Sequence, residues 1–232
     1  MQKTATEPIL AWHFLPDDGM TRDFDGQRER VKVKPGTTLT WDGELKMCES
    51  GLHASTDITD ALSYAPGAML CRVECSGDII EGDDKICCTK RKCLWMIDAT
   101  RTLHEFACWC AEEAFARERE SGREPDPRSV AAIQAKRDWL DGMITDDELT
   151  DARDAAWAAA GNAAWAAAWS AAEAAARSAA WSAAWAAART AAWSAEAAAR
   201  AAARSAARSA QREKLLEMVE AERRRVVCDE PS

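Results

Sequence analysis

The sequence predicts an α+β amino-terminal domain, with a small mixed or antiparallel sheet and helices. An all-α, Ala/Trp-rich module follows it, either a helical bundle or one long helix. Residues 1 to about 100 alternate short runs of β-branched and apolar residues with Gly, Pro and Asp turn signals. From about Asp151 to Ala210 the chain is mostly Ala, Trp, Ser and Arg, and no Pro or Gly interrupts Asn162 to Glu230. Alanine is the strongest helix former, so this region reads as helix throughout. The charged stretch Glu118–Asp126 contains Gly122 and Pro125 and reads as a joint. The expected division is therefore 1–117 for the first domain, 118–128 for a linker, 129–226 for the helical module and 227–232 for a tail.

The elements follow in order. PILAWHFLPDDG reads as a strand ending in a turn, and VKVKPGTTLTW as a strand pair broken at Pro35-Gly36. In CESGLHASTDITDALSYAPG a short strand precedes a helix of one or two turns reaching Tyr64, capped by Ser55, Thr56 or Asp57. AMLCRVECSGDII, KICCTKRKC and CLWMID are strand-like by their β-branched and apolar content, and a helix from about Thr100 to Ala116 closes the domain. Asp126 or Ser129 can cap the next helix, which runs to about Leu140 with Gly142 at its end. Thr145 and Glu148 form a capping box for another, and Gly161-Asn162 marks a break or kink.

In the helical module the large residues keep one register: Arg153, Trp157, Trp165, Trp169, Glu173, Arg177, Trp181, Trp185, Arg189 and Trp193. A four-residue repeat on a helix of 3.6 residues per turn advances by roughly 40° each time, so the row winds around the helix. Each Trp ring buries ~150–250 Å², which at ~25 cal/mol per Å² amounts to several kcal/mol. Exposing Trp157, Trp165, Trp169, Trp181, Trp185 and Trp193 together would leave a sticky rod. These rings are expected to be packing filler in a bundle or self-associating helix, making the protein a homo-oligomer. After Trp193 the register slips to Arg200, Arg204, Arg208 and Arg212, which reads as a solvated face with Glu–Arg pairs.

The net charge of −9 argues against nucleic acid as a partner, which requires a basic face. Nine cysteines, an odd number, without a signal peptide or C-x-x-C pair, suggest reduced thiols in a cytoplasm. Cys87-Cys88 and Cys108-x-Cys110 have the wrong spacing for a zinc site, so no metal is expected. No apolar run reaches the ~20 residues of a membrane span.

The stretch E-S-G-L-H-A-S-T…A-L-S-Y-A…M-L-C-R-V-E-C-S-G-D from Glu49 onward resembles the core of ADP-ribosyltransferase-like folds. The resemblance implies that His13, in A-W-H-F, contacts an NAD ribose and that His53 packs against the nicotinamide end. Ser55 and Tyr64 fall on its strand and helix signatures, and DDKICCTKRKCLWMI is similar to its closing strands, with Asp83 or Asp84 nearest the acidic position and Glu81 just before. Phe14-Leu15 stand where small residues commonly follow the first histidine. The C-E-S-G-L-H-A run also resembles a domain of unknown function in phage and bacterial proteins. Residues 104–160, with F-A-C-x-C-A-E, D-P-R and W-L-x-G-x-I-T-x-x-E-L-x-x-A-R, resemble alanine-rich helical modules of bacterial immunity proteins. The continuation is similar to phage alanine/arginine repeats.

Three expectations result. The first is a phage-type non-catalytic binding protein that sequesters a nucleotide-like signal or blocks a host defence protein, using His13, His53, Ser55 and Tyr64, in the host cytoplasm. The second is an NAD-dependent ADP-ribosyltransferase or NAD glycohydrolase with His13, His53 and Asp83 or Asp84 as catalytic candidates. The third is an immunity-type interaction module in which the histidines are incidental. No resident cofactor is expected, and NAD or an ADP-ribose-type molecule is the ligand class implied.

Overall fold

A computed structural model of the protein describes residues 7–22, 29–156, 158 and 186–229, with side chains in the last stretch for 205–228. The chain forms two compact units: Met1–Leu103 together with Gln211–Ser232, and His104–Ala210. The amino-terminal unit is α+β with an antiparallel sheet, and helices follow it along the chain.

Strands β1 (Ile9–Leu15), β2 (Thr38–Thr40), β3 (Leu52–Ala54), β4 (Met69–Glu81) and β5 (Ile86–Asp98) lie in the order β1-β4-β5-β2, with β3 also on β5. β4 and β5 make one long hairpin, its turn closed by the Gly82 N–H donating to the Lys85 carbonyl at 2.8 Å. β2 and β3 share the outer edge of β5, at Lys90–Lys92 and Ile86–Cys88 respectively. Ser55, one residue past β3, exchanges both backbone hydrogen bonds with Trp12 of β1, at 2.7 and 3.0 Å. Pairing therefore runs from β1 through β4, β5 and β3 back to β1, and the strands close into a small ring.

β1 and the first half of β4 are buried on both faces, and there the sequence reads as a nearly continuous apolar run. Ala11, Leu15, Cys71, Val73, Cys75, Cys88 and Cys93 make the core inside the ring, while Trp12, Phe14 and Leu70 are buried on the other face. The expected strand pair in VKVKPGTTLTW is only half realised. Val31 and Val33 bond to Thr21 and Gly19 through one isolated bridge, and only Thr38–Thr40 joins the sheet. The turn at Pro35-Gly36, where Gly36 has φ +89°, reverses the chain and directs Val33 into the core, so the ladder stops there.

Helix α1 (Ile58–Ser63) is capped by Asp57, whose carboxylate accepts from the Thr59 amide at 2.8 Å. The last helix, α5 (Ala186–Asp229), returns to this unit with its carboxy-terminal turns. Arg212, Leu215, Val219 and Arg223 lie at spacings of three and four residues, so they share one helix face. Leu215 and Val219 are fully buried. Arg212 is 3.2 Å from the Asp57 carboxylate, and the Arg223 guanidinium lies 4.8 Å from the Trp95 ring centre. Trp95 meets Trp12 edge-on at 5.7 Å, and Arg72 covers Trp12 at 4.4 Å. Of the arginine row, Arg212 thus binds across the unit instead of pairing along its own helix.

Burial opposes ionisation of Asp57, but its bonds from Thr59 and the charge of Arg212 outweigh it and hold its pKa below the usual carboxylate value. A depressed native pKa stabilises the fold above the unfolded pKa, and that stability is lost as pH falls through the native one. Asp57→Asn is therefore expected to lower stability at pH 7 and to cost less at pH 3. Urea unfolding at the two pH values checks this.

The second unit contains most of α2 (Thr100–Glu120), together with α3 (Pro127–Leu140) and α4 (146–156). α2 runs through Glu120 and stops at Gly122, which has φ +76°. Asp126 caps α3, accepting from the Arg128 amide at 2.8 Å. Thr145 and Glu148 make the expected capping box at α4, at 2.8 and 3.3 Å. Arg137 grips Glu112 with two bonds of 2.6 and 2.7 Å, and Trp139 packs edge-on against His104 at 5.8 Å. Trp157, Trp165, Trp169, Trp181 and Trp185 lie outside the described residues, and Trp193 lies in the α5 stretch for which only the backbone is described. Among the described residues no helix is long and apolar enough to cross a membrane.

Candidate functional site

Two side-chain clusters in the amino-terminal unit gather the candidate residues. The first lies inside the strand ring. β5 brings Arg91 inward, opposite Cys75 of β4, and leaves it only 7% exposed. Its Nη1 donates to the His53 carbonyl of β3. The guanidinium also lines a cavity of about 10 Å³ that His13, Thr37, Cys71 and Cys93 share with apolar neighbours. Burial pushes the Arg91 pKa down, and the surrounding thiols Cys75, Cys88, Cys71 and Cys93 oppose that shift. Arginine nevertheless stays a cation in proteins. His13 is held well below the usual imidazole range, first by burial and then by the charge of Arg91. Both favour the neutral ring.

The thiols gather around this cation. Cys88 Sγ lies 3.3 and 3.1 Å from the Leu52 and Lys90 carbonyls, and Cys93 Sγ 3.5 Å from the Trp95 carbonyl. Cys88 and Cys93 are shifted down, chiefly by the neighbouring Cys75 and Cys71 thiols and further by Arg91, whereas Cys75 and Cys71 are shifted up by the same thiol neighbours and by burial. Cys87 faces away from this pair and is pushed up to about 11 by burial. All nine cysteines are free.

The second cluster is at the corner between the hairpin tip and the loop preceding β3. Cys48 has a left-handed backbone, φ 68°, and donates its N–H to His53 Nε2 at 3.1 Å. The Gly51 backbone hydrogen bond raises the His53 pKa, but burial and the charges of Arg91 and Lys85 lower it further. The Lys85 ammonium lies 4.0 Å over the Tyr64 ring, and hydrogen bonds to Cys48 and then Tyr64 raise its pKa. The Tyr64 hydroxyl donates to Asp84, and the ring is 48% exposed.

The structure thus brings His13 and His53 to the same buried cation, and Tyr64 and Asp84 to each other. Ser55 is buried and serves the strand ring through its backbone. Asp83 lies in the exposed hairpin turn and Glu81 at the exposed end of β4. Arg91, Lys85 and Cys48 were not among the sequence candidates. In the structure exposed Lys90 and Lys92 alternate with buried Arg91 and Cys93, but no signal in the T-K-R-K run itself marks Arg91 as buried. Among the described residues no group of three His, Cys, Asp or Glu converges to hold a metal ion.

Residues 17–105 match the family model of a domain of unknown function (DUF7666). The matched span includes His53, Ser55, Tyr64, Asp83, Asp84 and Arg91, but stops short of β1 and His13. No curated protein and no solved structure matches the chain.

Proposed function

We propose that this is a non-catalytic binding protein that captures a nucleotide-like ligand at the corner built by Tyr64, Lys85, Asp84 and His53. The observation carrying this reading is a half-exposed Tyr64 ring with the Lys85 ammonium 4.0 Å from its centre. An aromatic face can stack a base, and an adjacent ammonium attracts phosphate oxygens. In a phage setting such a protein would sequester a host signalling nucleotide or occupy a defence protein in the host cytoplasm, with the helical module serving self-association. Binding is favoured over NAD cleavage because His13, the residue that the ADP-ribosyltransferase likeness would set on a ribose, lines a cavity of about 10 Å³. That is too small for a sugar.

The test is thermal shift and calorimetry of the full chain with NAD, ADP-ribose and cyclic nucleotides, each mixture then run on HPLC. A shift with the nucleotide intact is expected, and Tyr64→Ala and Lys85→Met should each weaken binding about tenfold, the equivalent of ~1.4 kcal/mol. Released nicotinamide would make the protein an NAD-cleaving enzyme instead. No shift with any nucleotide would overturn the reading and direct the search to a protein target.

A further inference from the structure

Strand β2 leaves one side of its backbone unused. An antiparallel ladder alternates residues that bond the neighbouring strand with residues that turn their N–H and C=O the other way. The Thr37 carbonyl accepts from the Cys93 amide at 2.8 Å, the Trp41 amide donates to the Thr89 carbonyl at 2.8 Å, and Leu39 stands between them opposite Arg91. Residues 37, 39 and 41 therefore face β5, and Thr38 and Thr40 present their N–H and C=O groups outward. β2 ends the path β1-β4-β5-β2, and among the described residues no other segment bonds to its outer side. Leu39 packs on the core, which places the exposed Thr38 and Thr40 side chains on the opposite face, beside Lys92 and Lys90.

The charge along this edge is opposite to that of the chain, whose net charge is −9. Lys34, in the turn that leads into β2, is exposed, as are Lys90 and Lys92, and none of the three has an ion-pair partner among the described residues. Farther across the sheet Lys90 stands opposite Ser76 and Lys92 opposite Glu74. Asp42 and Glu44 lie past the other end of the strand, and Glu44 is 3.8 Å from Lys46. Unused donors and acceptors at strand spacing match an extended polypeptide, which supplies both kinds of partner. A nucleic-acid backbone would leave the two Thr carbonyls without donors. A second copy of β2 would set lysines against lysines, which is how such edges avoid self-pairing. We propose that the edge of β2 receives an extended acidic segment of a partner protein as a further strand. Its backbone bonds Thr38 and Thr40, and its carboxylates lie near Lys34, Lys90 and Lys92. This surface shares no residue with the Tyr64–Lys85 corner and does not depend on it.

The experiment uses the full chain, reduced, at neutral pH, with fluorescent octapeptides blocked at both ends. One alternates glutamate with valine, a second has lysine for each glutamate, and a third keeps the glutamates but is N-methylated at every residue, so that it offers no backbone donor. By anisotropy the first is expected to bind saturably, with an affinity that falls as salt rises, and the other two are not. Changing Lys90→Glu and Lys92→Glu together should weaken binding by about tenfold or more. Thr40→Pro removes an outward N–H and no bond to β5, as a proline on an edge strand does, and should weaken binding comparably while the sheet persists. In the wild-type protein, hydrogen exchange at the Thr38 and Thr40 amides should slow when the glutamate peptide is bound, which keeps the test independent of the variants. The absence of saturable binding, or binding that protects neither amide, would overturn the proposal. Equal binding of the N-methylated peptide would overturn it too, by reducing the edge to a charged surface. Tighter binding of a single-stranded oligonucleotide than of the glutamate peptide would assign the lysines to nucleic acid instead.

Discussion

Leu215→Ala is expected to destabilise the amino-terminal unit by about 2–5 kcal/mol, read as a lower urea midpoint with little change in slope. Leu215 lies in the last helix, far along the chain from the sheet, yet it is fully buried. Val219, one helical turn on, is equally buried, and Arg212 and Arg223 on the same face bind Asp57 and Trp95. Truncating the side chain would leave a void in this buried stripe. Arg223→Ala removes only a cation–π contact and should cost no more than about 1 kcal/mol. Removing residues 211–232 should have the largest effect of the three, since it uncovers the stripe as a whole. If Leu215→Ala and Arg223→Ala cost the same, the helix contributes through its charged contacts and the burial argument is wrong.

That dependence of the amino-terminal unit on the chain's last helix was not legible in the sequence. EKLLEMVEAERRR shows apolar residues at helical spacing, which establishes a helix with one apolar face, but periodicity does not say what that face meets. The other elements were more readable because their signals are local. Asp57 and Asp126 cap the helices they precede, and Thr145 and Glu148 form their box, because these bonds reach only two or three residues. The long hairpin was legible as strands, though its register was not. On β5 the inward positions are Ile86 and Cys88, then Arg91 and Cys93, so the parity changes at Thr89. The pairing shifts there, between Ser76 and Ile79, where Gly77 has φ +80° and the Thr89 hydroxyl accepts from the Asp78 amide at 2.9 Å. A bulge that reverses which residues face inward conceals a buried arginine within T-K-R-K, a run that reads as a solvated basic surface. For the same reason the candidate site was half visible. His13 and His53 could be found by residue type, whereas the cation between them depends on register.

Gly51→Ala is the second substitution with a large expected cost, about 2–5 kcal/mol, combining overpacking with an unfavourable backbone. Gly51 has φ +113°, a conformation that L side chains rarely adopt, and a Cβ built there falls 2.3 Å from Cys87 Sγ and 2.7 Å from Leu45 Cδ2. Neither neighbour has room to retreat. Cys87 is fully buried with its thiol 3.1 Å from the Ser50 carbonyl, and Leu45 is buried at 7% exposure. The strain would fall on the loop that positions Cys48 and His53, whose ring accepts from the Cys48 amide. Any affinity for the proposed nucleotide-like ligand at the corner should therefore decline together with stability. Gly36→Ala is the control. That residue also has positive φ, +89°, but nothing lies within 4 Å of the added carbon, so only the backbone cost of about 1 kcal/mol should appear. Equal costs for the two substitutions would mean that the close approach of Cys87 and Leu45 is not what requires glycine in C-E-S-G-L-H-A. A difference of a few kcal/mol would identify the loop as packed to its limit and explain why a short strand and its histidine follow directly on a glycine.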